Sequence, residues 1–336
     1  MTTLSKRSPW EVSPHQFPSI FPIQKQLEFL LQYAVLAPST KNTQPWRFSI
    51  GENTIGVFAD LTRWQPVADR GRRELYISLG CALENLLVAG EQFGFRPEVS
   101  YFSQSANEEL AAIITFQPDG QPRPERAGLA LRNITARHTH RGLYRDEPVA
   151  KEVREHLLCR CILPGLRVDL IDDPASRFRV VDLNLHADEM EFADPEFRTE
   201  LGHWVGQGVF GTPRLLARLS GLLLARLNLG RVIGNRNAAL LSSAPLVGLI
   251  SARSDDRASQ VRTGQTLERL WLHATGIGMA LQPMSQALEI PSLRAELARV
   301  IPDCGWVPEQ VFRIGYAMYP EMRHTPRRSV DQVLLG

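Results

Sequence analysis

Two stretches of the chain, residues 80–94 and 264–278, carry apolar side chains at the i, i+3 and i+4 spacing of a helix. Each begins and ends with Gly, and each has Leu-Glu at its fourth and fifth places, so a shift of 184 residues (264 minus 80) superimposes them. Small residues near the C-terminal end of each stripe leave room for another helix. The pattern predicts two helices with one buried stripe each.

Apolar runs of strand length flank both predicted helices. The first helix is preceded by residues 46–50 and 54–58 and followed by 111–116; the second is preceded by 245–250 and followed by 311–316. A repeat of this length is the size of a domain, and fused twins pack about a pseudo-two-fold axis as a homodimer does. The alternative is a coincidence between two amphipathic helices.

The repeat predicts an α+β fold present twice in one chain. Residues 1–24, with four prolines, are expected to form an arm across the surface, followed by a first half over 25–118. The turn-rich segment 117–124 marks the break, and the second half covers 125–336. A stretch of about 188–236 has no counterpart in the first half and is interpreted as a lid-like insertion.

Composition removes several classes of function. The 336 residues have a formal net charge of +2, whereas a general nucleic-acid binder shows a basic excess. Four scattered cysteines do not make a disulfide framework, and they lack the spacing of a zinc site, so no metal is expected.

No targeting or membrane-spanning segment is expected. No apolar core of signal-peptide length follows Lys6 and Arg7, which favours a cytoplasmic protein. Residues 215–229 are the most apolar stretch, but it is too short for a bilayer and contains Arg218 and Arg226. A buried or lid-like helix is the main interpretation, and attachment to a membrane surface is the alternative.

The segment 37–46, Ala-Pro-Ser-Thr-Lys-Asn-Thr-Gln-Pro-Trp, follows an amphipathic helix and precedes a strand. Pro38 ends the helix because proline disfavours a helical residue before it. Ser39 and Asn42 are then available to cap the helix or to hydrogen-bond a ligand. The alternative is an ordinary cap loop with a buried Trp.

Three further segments carry candidate chemistry. Residues 137–141, Arg-His-Thr-His-Arg, are predicted to open a helical segment; if extended, Arg137, Thr139 and Arg141 point the same way and form a phosphate clamp. The alternative is a solvated basic patch. Residues 282–286 form a proline-bent loop that can present backbone N–H groups to a ring nitrogen, and 325–329 contain an Arg pair.

The order of these motifs resembles the flavin-dependent nitroreductase family, in its tandem branch with two fused halves. The resemblance covers residues 25–333. In that family the site lies at a homodimer interface, with the Pro-Ser loop from one subunit and the clamp, loop and C-terminal Arg from the other. Here the two sets lie in different halves, which implies one complete FMN site per chain and a monomer.

The resemblance assigns roles to five clamp residues. Arg137, Thr139 and Arg141 would hold the FMN phosphate, ribityl chain and pyrimidine edge. Arg328, aided by Arg327, would close on the phosphate. A positive group near flavin N1 and a donor near N5 favour reduced flavin.

The two loops complete the implied site. The first half would present four residues to the flavin: Pro38, Ser39, Thr40 and Asn42. The second half would offer a backbone N–H near N5 from four others: Pro283, Met284, Ser285 and Gln286. Many relatives have Glu-Gly where this chain has Ser285-Gln286.

The resemblance implies an FMN oxidoreductase. NAD(P)H would give a hydride to flavin N5, and a small electrophilic acceptor (nitro, quinone or enone) would take it by ping-pong exchange. The protein would supply stacking room and dipoles, so no catalytic acid or base is assigned.

The alternative is a protein that stores FMN under a lid with little or no turnover. Glycines at 202, 206, 208 and 211 indicate a mobile cover, and Trp204 could lie against a ring, as could Phe210. A third hypothesis, nucleic-acid binding through the Arg-rich segment 123–145, is disfavoured because Tyr144 is its only aromatic residue.

Overall fold

The computed structural model describes residues 8–102, 107–119, 131–301, 305–319 and 323–335. Residues 120–124 of the predicted linker 117–124 lie outside these ranges, as do Arg123 and Arg126 of the Arg-rich segment. The first half has six main elements: α1 (Ile23–Ala34), β1 (Trp46–Ile50), β2 (Thr54–Ala59), α2 (Arg73–Gln92), β3 (Phe95–Tyr101) and β4 (Leu110–Pro118).

The second half has more helices. Its elements in chain order are α3 (Leu131–Ala136), α4 (Lys151–Cys159), β5 (Leu166–Ile171), α5 (Pro174–Ala193), α6 (Pro195–Gly206), α7 (Arg214–Arg226), α8 (Gly230–Ser242), β6 (Leu246–Ala252), α9 (Arg257–Gly276), β7 (Ala280–Pro283), α10 (Pro291–Leu297) and β8 (Val307–Gly315).

Each half builds a four-stranded antiparallel sheet, and the strand orders are β1-β2-β4-β3 and β5-β6-β8-β7. The two orders are the same when the elements are matched along the chain, as the predicted repeat requires. The predicted α+β class is confirmed.

The two central helices, α2 and α9, lie against each other between the sheets. Their bounds, 73–92 and 257–276, differ by 184 residues at both ends. The sequence predicts one buried stripe, but 17 of the 20 residues of α2 are buried. The reason is that α2 is enclosed by α1, by the strands of its own sheet and by α9, so little of its circumference meets solvent.

The segment 137–141 is not the start of a helix. Helix α3 ends at Ala136, and the chain then runs extended, with Thr139 bridged in parallel to Leu281 of β7. The His140 N–H donates to the Leu281 carbonyl at 3.2 Å. Pairing with the edge of the second sheet therefore replaces helical hydrogen bonds here.

Both chain ends cross between the halves. The Phe48 N–H donates to Val333 O at 2.8 Å and the Leu335 N–H to Phe48 O at 2.7 Å, so the C-terminal segment runs alongside β1. In the N-terminal arm, Trp10 Nε1 donates to Thr325 O at 2.9 Å. These contacts carry the segment around Arg327 to the Pro-Ser loop of the first half.

The insertion consists of the end of α5, helices α6 and α7, and most of α8. The sequence analysis interpreted the glycines of the insertion as signs of a mobile cover, but not all of them have that role. Gly202 lies inside α6, where a β-carbon would lie 2.4 Å from the Gly221 carbonyl of α7, so this glycine permits close helix packing. Gly208 and Gly211, with φ of +73° and +82°, shape the loop 207–213, which we call the cover loop. In the described residues no helix is long and apolar enough to span a bilayer.

Candidate functional site

A cavity of about 310 Å³ lies where the two halves meet. This is at the lower end of the roughly 300–1,000 Å³ found for small-molecule sites. Four separate segments converge on it, and they bring eleven of the thirteen predicted site residues to its wall: Pro38, Ser39, Thr40, Asn42, Thr139, Arg141, Pro283, Met284, Ser285, Gln286 and Arg327.

Asn42 holds three parts of the wall together. Its Nδ2 donates to Val209 O at 2.6 Å and to Pro326 O at 3.0 Å, and its Oδ1 accepts from Arg327 Nη1 at 2.7 Å. The residue has φ of +58°, a left-handed conformation in which Asn is favoured among non-glycine residues. The Asn42 side chain is thus engaged by the protein and does not cap a helix.

Ser39 acts within its own loop. Its Oγ accepts from the Gln44 N–H at 2.8 Å, and the neighbouring Thr40 N–H donates to Ser78 Oγ of α2 at 3.2 Å. The first contact holds the loop in shape, and the second fixes it against the central helix α2. Ser39 and Thr40 line the cavity from this fixed position.

Arg137 does not reach the cavity, although the alternation predicted that it would. Its side chain is 1% exposed, with Nε 3.3 Å from Glu268 Oε1 and Nη2 donating to Leu36 O at 2.9 Å. The guanidinium lies over the ring of Trp271 at 4.6 Å. Burial lowers its pKa, an effect that Glu268 opposes. The carboxylate on α9 therefore draws Arg137 inward, away from Thr139 and Arg141.

The two C-terminal arginines also separate. Arg328 is turned to the first half, where Nη1 lies 3.0 Å from Asp60 Oδ2 and 3.0 Å from Gln44 O. Arg328 is not part of the cavity wall. Like Arg137, Arg328 forms an ion pair with a buried carboxylate of the protein. The spacing of the motif does not predict this pair.

Of the two C-terminal arginines, Arg327 is the one that lines the cavity. Its Nη1 donates to neutral oxygens, Asn42 Oδ1 at 2.7 Å and Thr325 Oγ1 at 2.6 Å. Its Nε is buried without a hydrogen-bond acceptor in the part of the chain that the structure describes, and no ion pair to a described carboxylate is found. Burial and the nearby Arg137 and Arg141 hold its pKa well below the ordinary value. The surroundings of Arg327 therefore favour an anion.

The loop after β7 offers backbone donors. The Met284 N–H is used on Val311 O at 2.9 Å, which leaves the N–H groups of Ser285 and Gln286 with no acceptor among the described residues. Gln310 Nε2 donates to Ser285 Oγ and so fixes the loop from β8. The loop lines the cavity, as predicted.

The cavity wall also contains four acidic residues that the sequence analysis did not identify. Asp69, Glu74, Glu191 and Glu289 border the cavity, and Arg73 pairs with both Glu74, at 3.0 Å, and Glu289. Burial raises the pKa of Asp69 to about 7 and that of Glu191 to about 8, and it raises the pKa of Glu289 well above the ordinary value. These residues come from three distant segments of the chain and share no motif, so only the fold brings them together.

The cover loop places Phe210 at the cavity and Trp204 elsewhere. Phe210 is 37% exposed and lines the wall, with the Arg141 guanidinium 5.4 Å from its ring centroid. Trp204 is buried in α6, and Arg63 of the first half lies 5.2 Å from its ring. Trp204 therefore anchors the insertion to the first half, and the expectation that it faces the cavity is not met.

Comparison with known proteins places this site in context. A Mycobacterium tuberculosis protein named "Putative NAD(P)H nitroreductase acg" is 28% identical over 315 residues, covering 90% of this chain and 93% of its own. A second nitroreductase-named protein of that organism is 27% identical, covering 94% and 92%. The chain is a homologue of these nitroreductase-like proteins. The resemblance predicted from the motifs is confirmed.

Other proteins match the chain at lower similarity. "Probable NAD(P)H nitroreductase PigM" of Serratia sp. is 23% identical, covering 93% of both chains. A nitroreductase with bound FMN from Desulfitobacterium hafniense aligns with a TM-score of 0.39 at 15% identity, covering 58% of this chain and 93% of its own. An FMN-dependent nitroreductase from Mycobacterium smegmatis in complex with NADPH aligns with a TM-score of 0.37 at 18% identity. The alignment covers 57% of this chain and 89% of the other. No protein-family model matches the chain.

Proposed function

We propose that the cavity binds one FMN per chain and that the protein is an NAD(P)H-dependent oxidoreductase of the nitroreductase type. The observation that carries the proposal is the position of Arg327, whose buried Nε has no acceptor among the described residues and whose charge faces a cavity also lined by Arg141. A phosphate group would accept a hydrogen bond from the Arg327 Nε and would lie close to the positive charge of Arg141. The homologues named NAD(P)H nitroreductases support the same assignment.

The residues present fit FMN in kind. Arg141 and Arg327 supply the positive charge for the phosphate, and the N–H groups of Ser285 and Gln286 supply donors for a ring nitrogen. Residues 38–42 close the cavity from the first half. Arg137 and Arg328, which the resemblance placed on the phosphate, form ion pairs with the buried carboxylates of Glu268 and Asp60 instead and so support the wall.

When bound, FMN supplies the two-electron hydride chemistry that connects NAD(P)H with a nitro, quinone or enone acceptor. The protein contributes binding and orientation. Because burial raises the pKa values of Asp69 and Glu191, the wall carries less negative charge near neutral pH than its carboxyl count implies. That lowers the repulsion of an anionic dinucleotide.

FMN storage is the second candidate function, and one contact favours it. Asn42 Nδ2 donates to Val209 O at 2.6 Å, which holds the cover loop against the first half with Phe210 in the cavity wall. A loop held in this way restricts access of a nicotinamide ring to the cavity. Turnover then requires that this contact open.

Two measurements on the purified protein test the proposal. Flavin released by denaturation is expected at one FMN per chain, and size-exclusion chromatography is expected to give a monomer, because the two halves already meet in one chain. A ratio near zero after reconstitution with FMN would refute the cofactor assignment. Anaerobic NADPH or NADH is then added: rapid bleaching supports the oxidoreductase, whereas flavin that stays oxidised supports storage.

A further inference from the structure

Helix α7 turns small residues toward the protein and most of its leucines toward solvent, which is the opposite of an ordinary surface helix. The face turned to α6 consists of small residues: Ala217 and Gly221 are buried, and Gly221 would place a β-carbon 2.3 Å from the Gly202 carbonyl. Leu224 packs inward against a small cluster around Phe192 and Phe197, but the other five leucines of α7 point outward. Each of the five is at least 52% exposed: Leu215, Leu216, Leu219, Leu222 and Leu223. A surface helix normally buries its leucines, but no described residue of the chain covers this outer face of α7.

The charged side chains in the stretch of chain that contains this face are all positive. No Asp or Glu occurs between Glu200 and Asp255, whereas the same stretch contains Arg214, Arg218, Arg226, Arg231, Arg236 and Arg253. The three arginines on α7 itself are exposed, and none forms an ion pair with a residue that the structure describes. Leu227 and Val232, 47% and 69% exposed, extend the apolar surface toward α8.

We propose that the outer face of α7 is a docking surface for an anionic lipid bilayer, on which the helix lies parallel to the membrane plane. Leucines flanked by arginines, without acidic residues, are the composition of an interfacial helix. The leucines would enter the acyl boundary and the arginines would contact lipid phosphates. The sequence analysis favoured a buried or lid-like helix over residues 215–229 and expected no membrane partner; the proposal takes up its alternative, attachment to a membrane surface.

Charge separates this occupant from a second copy of the chain. A symmetric dimer through the same face brings the arginines of α7 against their own copies with no acidic residue nearby to compensate. An anionic bilayer offers the opposite sign over the whole face. The proposal does not depend on the proposed function, because the outer face of α7 is turned away from the α6 contact and none of its leucines lines the cavity.

Co-sedimentation of the full chain with vesicles tests the proposal. Binding is expected to vesicles of equal parts phosphatidylcholine and phosphatidylglycerol, to weaken as salt rises, and to be absent with phosphatidylcholine alone. This first measurement needs no variant. Failure to bind the anionic vesicles, or equal binding to both compositions, would overturn the proposal.

Two variants then separate the apolar and ionic contributions. The triple change Leu219→Ser, Leu222→Ser and Leu223→Ser is expected to abolish binding, and Arg218→Glu with Arg226→Glu to weaken it by at least roughly 25-fold, about fivefold for each charge. The matched control, Arg160→Glu with Arg299→Glu, alters net charge equally at exposed positions outside the face and should bind as wild type does. A wild-type dimer that the leucine variant converts to monomer would show that a second copy covers the face and would refute the membrane proposal.

Discussion

Gly80 of α2 and Gly264 of α9 face each other at the centre of the molecule, and a β-carbon built on either would lie 2.9 Å from the α-carbon of the other. The contact is symmetric beyond the glycines. A β-carbon on Gly80 would lie 2.0 Å from the Val261 carbonyl, and one on Gly264 would lie 2.0 Å from the Ile77 carbonyl. Ile77 and Val261 are themselves 184 positions apart, which is the shift of the repeat predicted from the sequence.

Gly80→Ala is expected to separate the two central helices. Backbone carbonyls cannot move aside as a flexible side chain can, so the substitution should lower the free energy of unfolding by about 2–3 kcal/mol, the upper part of the range for overpacking. Urea denaturation followed by circular dichroism measures the change. Gly71→Ala, where no heavy atom lies within 4 Å of the added carbon, is the control and should change stability by less than about 0.5 kcal/mol. Equal stabilities of the two variants would contradict the close contact.

The repeat and the strand positions were predictable from sequence because both depend on local apolar periodicity. The predicted strand 46–50 coincides with β1, and 54–58 lies within β2. What local periodicity cannot supply is the pairing of an extended segment with a distant edge. Residues 137–141 were predicted as helical, but their hydrogen bonds go to β7, which lies about 140 positions further along the chain.

Arg327→Ala is expected to weaken FMN binding about ten- to a hundredfold, since a charge-assisted phosphate contact contributes roughly 1.5–3 kcal/mol. Riboflavin has no phosphate and should bind the variant and wild type about equally. Fluorescence titration with both flavins gives the comparison. Arg323→Ala, an exposed position four residues earlier, is the control. Equal losses for both flavins would place Arg327 away from the phosphate.

Arg137→Ala is expected to lower the stability of the fold rather than to weaken FMN binding selectively. It leaves the Glu268 carboxylate, 0% exposed, without its partner, and removal of one member of a buried pair costs about 3–5 kcal/mol. The melting temperature should fall strongly with or without FMN. Arg132→Ala, exposed on α3, should have little effect. A variant as stable as wild type but selectively poor in FMN binding would restore Arg137 to the clamp.

The candidate site was predictable to the extent that its residues belong to contiguous motifs. Arg137 and Arg328 depart from the prediction because each has an internal carboxylate, Glu268 or Asp60, within ion-pair distance. A motif specifies which residues are adjacent along the chain, whereas the direction of an arginine depends on where the fold places the nearest buried acid. The acidic wall around Glu191 was missed for the same reason.

Phe210→Ala is expected to speed reduction of bound flavin by NADPH, because it removes a ring from the cavity wall without touching the anchor at Trp204. Stopped-flow bleaching under anaerobic conditions measures the rate. Trp204→Ala is the contrasting variant and should lower stability, since that side chain is buried against Arg63. An unchanged bleaching rate in a stable Phe210→Ala variant would show that the cover loop does not gate the site, and the storage hypothesis would lose its structural support.

Glu191 makes stability depend on pH in a direction that can be worked out. Its pKa is raised from 4.5 to about 8 because burial disfavours the charged form. Between these values the folded state holds a proton that the unfolded state has released, so the free energy of unfolding falls as pH rises, by at most about 1.4 kcal/mol per pH unit for one group. Glu191→Gln has no such proton and should show a shallower fall between pH 5 and 8.

The control for this measurement lies on the same helix. Glu189, two residues earlier on α5, is exposed, so Glu189→Gln makes the same chemical substitution without removing the proton that Glu191 holds in the folded state. Urea midpoints of the three proteins across this pH range are expected to give parallel lines for wild type and Glu189→Gln and a shallower line for Glu191→Gln. The dependence of stability on pH will not vanish in Glu191→Gln. The pKa of Asp69 in the same wall is also raised, to about 7, and this contributes in the same direction. If all three lines run parallel, Glu191 is ionised in the folded protein, and the cavity wall carries more negative charge than its burial implies.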